Sequence, residues 1–346
     1  MWATARHLSG TFLCVGLLTR TLHAQGVEPL SLEDAERRAV QNHPQIRAMQ
    51  YGVEAAGQAV RQVRSAYFPS MSASLTGAQA ESGSRIAAGG LNNPIILDRF
   101  ATGFSIGQLI TDFGRTRDLV ASSGLRADAL QQAADGRRAD VLLQVDRAYF
   151  GASRAQAVER VAEETVKARQ LVVDQVTALA TSGLKSGLDL SFAKVNLAES
   201  QLLLVQAHND VQAAFTTLSA AMGRTESIAY QLADEPLPPR PPSDAATLIA
   251  QALQARPEIA AQRLSGQAAG RFADAEGALW LPSVSLVAAA GMTPYRQVGL
   301  NPRYSAIGVN ITVPLTNGGL LSARRAEANL RTLAEEQRHD VDRRCC

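Results

Sequence analysis

Residues 187–223 read GLDLSFAKVNLAESQLLLVQAHNDVQAAFTTLSAAMG, and their spacing decides the fold. Leu190, Leu197, Leu204, Val211 and Leu218 recur at every seventh position. Three residues after each stands a small one: Ala193, Ser200, Ala207, Ala214 and Ala221. A strict heptad is a 3.5-residue period, which an α-helix satisfies only by supercoiling left-handedly about a neighbour. Small residues at every second seam position let the two backbones approach closely. The neighbour lies upstream. Residues 114–182 read as one helix of about 100 Å at the usual 1.5 Å rise, with Val141, Val145, Ala148, Ala152 and Ala155 at three-four spacing. Thr181-Ser182-Gly183-Leu184-Lys185-Ser186-Gly187 is the turn, Asp189 stands beside the start of the return helix, and Gly223 ends it. A plain coiled-coil hairpin has the same periodicity, so the flanks decide its role.

On the N-terminal side, Ser31, Glu33 and Asp34 open a helix that runs to about Tyr67, interrupted at Asn42-His43-Pro44. The period then changes to two. Met71, Ala73, Leu75 and Gly77 alternate with Ser70, Ser72, Ser74 and Thr76. After a loop of Gly, Ser and Asn, a second strand sets Phe100, Thr102, Phe104 and Ile106 against Ala101, Gly103, Ser105 and Gly107. Asp112-Phe113-Gly114 leads into the long helix.

On the C-terminal side, residues 224–243 read as a proline-rich linker, and then the chain repeats itself. Asn42-His43-Pro44-Gln45-Ile46 is answered by Ala255-Arg256-Pro257-Glu258-Ile259, and Tyr67-Phe68-Pro69-Ser70 by Trp280-Leu281-Pro282-Ser283 at the same offset. Val284, Leu286, Ala288 and Ala290 alternate with Ser283 and Ser285; Ile307, Val309, Ile311 and Val313 alternate with Ala306, Gly308, Asn310 and Thr312. Thr316-Asn317-Gly318 answers Asp112-Phe113-Gly114. The organisation expected is a signal peptide over 1–24, a first repeat over 25–223, the linker 224–243, and an incomplete second repeat over 244–346.

Composition narrows the function. The 34 Lys and Arg nearly balance 32 Asp and Glu, for a net charge of +2, so nothing argues for nucleic acid. Arg6 and His7 precede the apolar run 8–18, and cleavage after Ala24 fits a secretory signal. Cys14 lacks the small residue expected before a lipidated cysteine. No other run reaches the eighteen or so apolar residues of a spanning helix, so a membrane would be crossed by strands. There is no Gly-x-Ser-x-Gly, no phosphate loop and no His or Cys cluster at ligand spacing. His43 and His208 read as packed or solvated, and Glu163 and Glu164, being adjacent, diverge on a helix. No catalytic, cofactor-binding or metal-binding residue is expected, and the protein reads as a passive conduit rather than an enzyme.

Four strands of about ten residues have the length that crosses an outer membrane when tilted, but they cannot close a barrel alone. The fold class expected is therefore mainly α with a small β part: antiparallel coiled-coil helices forming an α-barrel segment, plus four strands of an oligomeric transmembrane β-barrel. Met71, Leu75, Phe104, Ile106, Val284, Leu286, Ile307, Val309 and Ile311 are expected to face lipid. Ser70, Ser72, Ser74, Ser283, Ser285, Asn310 and Thr312 are expected to face the lumen.

The two repeats, the junctions Asp112-Phe113-Gly114-Arg115 and Pro314-Leu315-Thr316-Asn317-Gly318, and the segment 182–189 with its heptads together resemble the TolC family of outer-membrane efflux proteins. The resemblance implies a homotrimer whose twelve-stranded barrel lies in outer-membrane lipid and continues as a helical tunnel across the periplasm. It also implies docking to a periplasmic adaptor and an inner-membrane pump, most commonly of the resistance-nodulation-division type. The family's hairpin tips carry a Gly-Leu-x-Thr-like motif that meets the adaptor. Gly183, Leu184 and Ser186 match it, with Ser186 in place of Thr and Ser182 where an aliphatic residue is common. The implied function is an exit duct of a tripartite efflux or secretion system. The alternatives are a periplasmic structural or adaptor-like coiled coil, or a truncated remnant of a duct. By the logic of the duplication, about 80 residues of the second repeat are expected beyond Cys345-Cys346, and a chain without them is expected to assemble poorly.

Overall fold

The computed structural model describes residues 28–79, 99–226, 228–236, 244–295 and 301–344. The expected signal peptide with Cys14, nearly all of the Gly/Ser/Asn loop, the proline cluster 237–243 and the Cys345-Cys346 pair lie outside the described residues. In order, the elements are β1 (Glu28–Leu30), α1 (Leu32–Asn42), α2 (Pro44–Arg64), β2 (Ser70–Ala78), β3 (Arg99–Thr111), α3 (Arg115–Thr181), α4 (Gly187–Ala221), β4 (Tyr230–Leu232), α5 (Ala245–Ala255), α6 (Pro257–Gly277), β5 (Ser283–Tyr295), β6 (Arg303–Thr312) and α7 (Leu320–Arg344). They fall into two compact units. One holds the residues up to Ala35 with Tyr149–Ser219 and Glu226–Glu235; the other holds Glu36–Ala148, Ala220–Thr225 and the rest.

In the first unit the heptads act as their spacing demands. Between 191 and 217 the covered positions of α4 are Ala193, Leu197, Ser200, Leu204, Ala207, Val211, Ala214 and Phe215; every other residue is exposed. Seven of these eight are heptad positions, and Phe215 alone lies off the seam. Ala193, Ser200 and Ala207 are buried while Leu197 and Leu204 are half-buried. The small residues therefore mark where the backbones approach, and the leucines flank that line. The α3 stripe shows the same period: Ala152, Glu159, Val166, Val173 and Ala180 are all buried or half-buried. His208 is neither core nor free. Its Nδ1 lies 2.8 Å from Glu159 Oε1 and its Nε2 3.0 Å from the Gln212 amide nitrogen, so it bridges the two helices.

The same unit contains a two-stranded parallel sheet, β1 on β4, pairing Leu30 with Leu232. The fully buried Tyr149 places its hydroxyl between two carbonyls, 3.0 Å from Leu30 and 2.9 Å from Ala233. Burial pushes its pKa above the ordinary tyrosine value, and the Glu235 carboxylate adds to the rise. Such a buried hydroxyl stabilises the chain only because its partners satisfy it. Here the linker reading over 224–243 is corrected. Tyr230–Leu232 is a strand, and buried Tyr230 packs its ring 6.4 Å from Phe215.

In the second unit a four-stranded antiparallel sheet runs in the order β2-β3-β5-β6. Its helices are fastened by polar contacts. Ser122 donates to the Ala268 carbonyl at 2.7 Å, and buried Glu276 is held by Arg324 at 2.7 and 2.9 Å. The break at His43 is a cap: Nδ1 accepts from the Gln45 amide at 3.2 Å, and Pro44 sits in the first turn. Gly223 meets this start with φ +75, and a Cβ there would lie 2.8 Å from His43 Cα. Burial, with the Arg137 charge, lowers the His43 pKa and keeps the ring neutral, as a nitrogen acceptor requires.

The strand-to-helix junctions correct the sequence alignment by one residue. Asp112 Oδ2 accepts from the Thr116 amide at 2.8 Å, and φ is +55 at Phe113 and +101 at Gly114. In the second repeat it is Asn317 that caps the helix, accepting from Leu321 at 3.3 Å, with φ +61 at Gly318 and +86 at Gly319. Asp112-Phe113-Gly114 thus corresponds to Asn317-Gly318-Gly319 and not to Thr316-Asn317-Gly318.

Candidate membrane wall and hairpin tip

Residues paired across a ladder lie on the same face, so register sorts the strand side chains. Met71 pairs Ile106, Ala73 pairs Phe104, Leu75 pairs Thr102, and Gln108 pairs Leu286. Leu286 pairs Val309, Val284 pairs Ile311, and Ala288 links Ile106 to Ile307. All nine residues expected to face lipid therefore fall on one face of one sheet, across four strands and both repeats. The other face carries all seven residues expected to face the lumen, together with the apolar Leu109 and Val287. Ser72 pairs Ser105 with hydroxyl oxygens 2.7 Å apart, Ser70 pairs Gly107, Ser285 pairs Asn310, and Ser283 pairs Thr312. Every residue of β6 is exposed, and Ile307 remains 75% exposed. Among the described residues no second layer covers the apolar side of this strand. Within this sheet β2 and β6 are edge strands, as a sheet that must be continued by other copies would have.

One row of the polar face was not read from the sequence. Tyr304 pairs Gly291, which pairs Gly103, which pairs Ser74. A Cβ at either glycine would collide with the Tyr304 ring or hydroxyl, and at Gly103 also with the Ala290 carbonyl at 2.9 Å. The ring therefore lies flat across β5 and onto β3, over a slot that only glycine leaves open. The signal available was the alternation Gly308, Ala306, Tyr304, which puts the tyrosine on the small-residue face.

At the opposite kind of site, the hairpin turn, the geometry follows from two local motifs. Gly183 takes φ +73 and donates to Ala180 at 3.1 Å, and Leu184 donates to Leu179 at 2.9 Å. These two bonds close α3 with a Schellman cap. Ser186 then opens α4: Asp189 donates from its amide to Ser186 Oγ at 3.1 Å, and its carboxylate accepts from the Ser186 amide at 3.0 Å and hydroxyl at 2.9 Å. This is a reciprocal capping box with Asp in the Glu position. Those hydrogen bonds hold the Asp189 carboxyl below the ordinary carboxylate range. Between the two caps Leu184 is left 74% exposed, with Ser182, Gly183 and Ser186 exposed around it. The structure brings these four residues into one turn; it places the strand residues in a separate sheet. No cluster of His, Cys, Asp and Glu with metal-binding geometry occurs among the described residues.

Long antiparallel helices joined to a small sheet with one apolar and one polar face define an outer-membrane channel fold. The outer membrane efflux protein family matches residues 36–224 and 248–344, and the chain belongs to that family. The family is one of passive outer-membrane channels rather than enzymes, and its place is the outer membrane of the Gram-negative envelope, extending into the periplasm. The chain is similar to the fusaric acid resistance protein FusA of Burkholderia cepacia, 28% identical over 210 residues covering 57% of this chain and 39% of that one. It is also similar to the outer membrane efflux protein BepC of Brucella suis, 27% identical over 205 residues covering 57% of this chain and 42% of that one. The matched stretch spans less than half the length of these curated relatives. Among solved structures, CusC superposes with a TM-score of 0.76 at 18% identity, covering 90% of this chain and 72% of that one. The Campylobacter jejuni CmeC outer membrane channel superposes at 0.74 and 18% identity, covering 90% and 67%. These likenesses are of fold.

Proposed function

We propose that this chain forms part of the wall of an outer-membrane exit duct in a tripartite efflux system, passive in itself and driven by its partners. The observation that carries this reading is the sheet with sorted faces: mostly apolar and uncovered on one side, and mostly Ser, Thr, Asn, Gly and Ala on the other. Only lipid on the first side and water on the second make both faces stable. Four strands leave two edges, so the duct is an oligomer, and three copies give the twelve strands of an aqueous bore. The exposed tip residues Ser182, Gly183, Leu184 and Ser186 are the surface for a periplasmic adaptor, which in turn meets an inner-membrane pump of the resistance-nodulation-division type. The similarity to a fusaric acid resistance protein supports an organic acid as cargo.

The test is a fractionation series. Together with the second-repeat residues expected beyond Cys346, the chain is expected in the outer membrane as a detergent-extractable trimer. Leu75→Arg and Ile311→Arg each place a charge on the lipid side, at about 2–4 kcal/mol near the bilayer centre and less toward its edge, and both are expected to lower the amount of protein in that fraction, Leu75→Arg the more. Ser72→Arg, on the water side, is expected to remain there. Release of the unsubstituted chain into the soluble periplasm, or equal tolerance of all three substitutions, would sink the reading.

A further inference from the structure

Alternation of apolar and polar residues forbids a one-residue slip between β5 and β6, because the slip would exchange their faces. It does not forbid a slip of two. Moved by two, Leu286 faces Ile307 or Ile311 in place of Val309, and Ala288 faces Ser305 or Val309 in place of Ile307. Both faces keep their character. The stretch Ala288-Ala289-Ala290 presents the same methyl at each step, so shape discriminates little either.

The helices do not settle the matter. In the first repeat three residues, Asp112 to Gly114, separate β3 from α3; in the second, seven residues, Val313 to Gly319, separate β6 from α7. Those seven form neither helix nor strand. A slip of two moves a strand about 7 Å along its neighbour, a slack that seven residues take up. Arg324 keeps its hold on Glu276 while β6 shifts.

Tyr304 does discriminate. A Cβ on Gly291 would lie 2.5 Å from its hydroxyl oxygen and 2.6 Å from its Cζ, and a Cβ on Gly103 would overlap the same hydroxyl. Gly103 and Gly291 are the one glycine pair in the β3–β5 ladder. Slipped one way, the ring comes over Ala289 and its partner Ser105; slipped the other way, it comes over Thr293. Each of these residues has a side chain where the slot has none, and overfilling a packed site strains it. The first repeat, with the short junction, sets Ala78 opposite Arg99 at the equivalent place and has no such ring.

We propose that Tyr304 is the register key of the β5–β6 hairpin: its ring enters the Gly291–Gly103 slot in one pairing and is shut out of the two-residue slips. The key thereby fixes the height of the free edge of β6, onto which a further copy has to pair. The inference needs the sheet and its register and not the assignment of its faces to lipid and water, so its failure leaves the duct standing.

In a Cys14→Ser, Cys345→Ser, Cys346→Ser background of the full chain in detergent, cysteine pairs report the register. A disulfide needs Cβ atoms within about 4.5 Å, which directly opposed residues satisfy and diagonal ones do not. Val287→Cys with Gly308→Cys reads the native pairing, and Val287→Cys with Ala306→Cys or with Asn310→Cys reads the two slips. Gly308 has open space for the added side chain. With Tyr304 in place, and equally with Tyr304→Phe, only the native pair is expected to close on oxidation. With Tyr304→Ala, the slipped pairs are expected to rise several-fold at the expense of the native one. A native pair alone in that variant, or a slipped pair closing beside an intact Tyr304, overturns the proposal. As a second variant, Ala289→Gly with Ser105→Gly builds another slot two residues along and keeps the ring. It is expected to raise the disulfide of the Val287→Cys, Ala306→Cys pair and not that of the Asn310→Cys pair. No such rise overturns the key, even where Tyr304→Ala fails to fold.

Discussion

The two repeats share an architecture and differ in what fastens it. In the second, Glu276 is buried and held by Arg324, whereas the aligned positions of the first are Val63 and Leu119, both half-buried. The first repeat turns from strand to helix through Phe113-Gly114, the second through Gly318-Gly319. The first starts α2 from a His43 side-chain cap, the second starts α6 from Arg256 with no side-chain cap. Duplicated elements therefore keep backbone geometry while exchanging the chemistry that supports it. Geometry is what the barrel and tunnel demand of every copy. The choice between an apolar contact and an ion pair is open wherever the volume can be filled.

The largest effect should come from the ion pair. Arg324→Ala leaves the Glu276 carboxylate buried without its partner and is expected to cost about 3 kcal/mol, read as a lower chemical-denaturation midpoint. Importing the first repeat's solution, Glu276→Val with Arg324→Leu, is expected to recover most of that loss. A double variant as unstable as the single one would show that the two repeats are not interchangeable there. The junctions offer a smaller effect of opposite sign in the two copies. Gly318→Phe is expected to destabilise by about 1–2 kcal/mol, whereas Phe113→Gly should not destabilise in detergent. Thermal melts of both variants measure the asymmetry directly.

The smallest effect is on pH, and only the first repeat should show it at neutral values. The His43 pKa is lowered in the folded chain, so the unfolded chain binds the proton more readily. The stability from neutral His43 is complete above the ordinary histidine value of about 6.5 and is lost as pH falls through the lowered folded value. His43→Asn keeps a capping acceptor and is expected to remove that slope without large loss at pH 8. Equal slopes in both proteins would place the titration elsewhere. Asp189, also lowered, adds its own loss at the tip only at more acidic pH.

How far the sequence carried this structure follows from the length of each signal. Thirty-five residues of α4 carry five heptads, and the covered positions are nearly those heptads and nothing else. Alternation over about eight residues each likewise placed β2, β3, β5 and β6 and sorted their two faces. Three residues of β4 carry no usable period, and their pairing with β1 spans about two hundred residues, so Tyr230 was read as linker. The junction equivalence slipped by one because Asn317 caps as Asp112 does, and residue similarity cannot reveal where φ turns positive. The Tyr304 slot needed the register of three strands at once. The tip residues were legible as a turn, whereas its two caps came from the structure, although both are local, with Leu184 bonding back to Leu179 and Ser186 forward to Asp189.

The central claim is that one sheet face meets lipid and the other water. In a Cys14→Ser, Cys345→Ser, Cys346→Ser background, single cysteines at Ser72, Ser285, Leu75 and Ile311 test it in intact outer-membrane vesicles with a membrane-impermeant maleimide. The account predicts labelling of Ser72→Cys and Ser285→Cys, with Leu75→Cys and Ile311→Cys protected until detergent is added. Equal labelling of the two sets, or the reverse pattern, would contradict it.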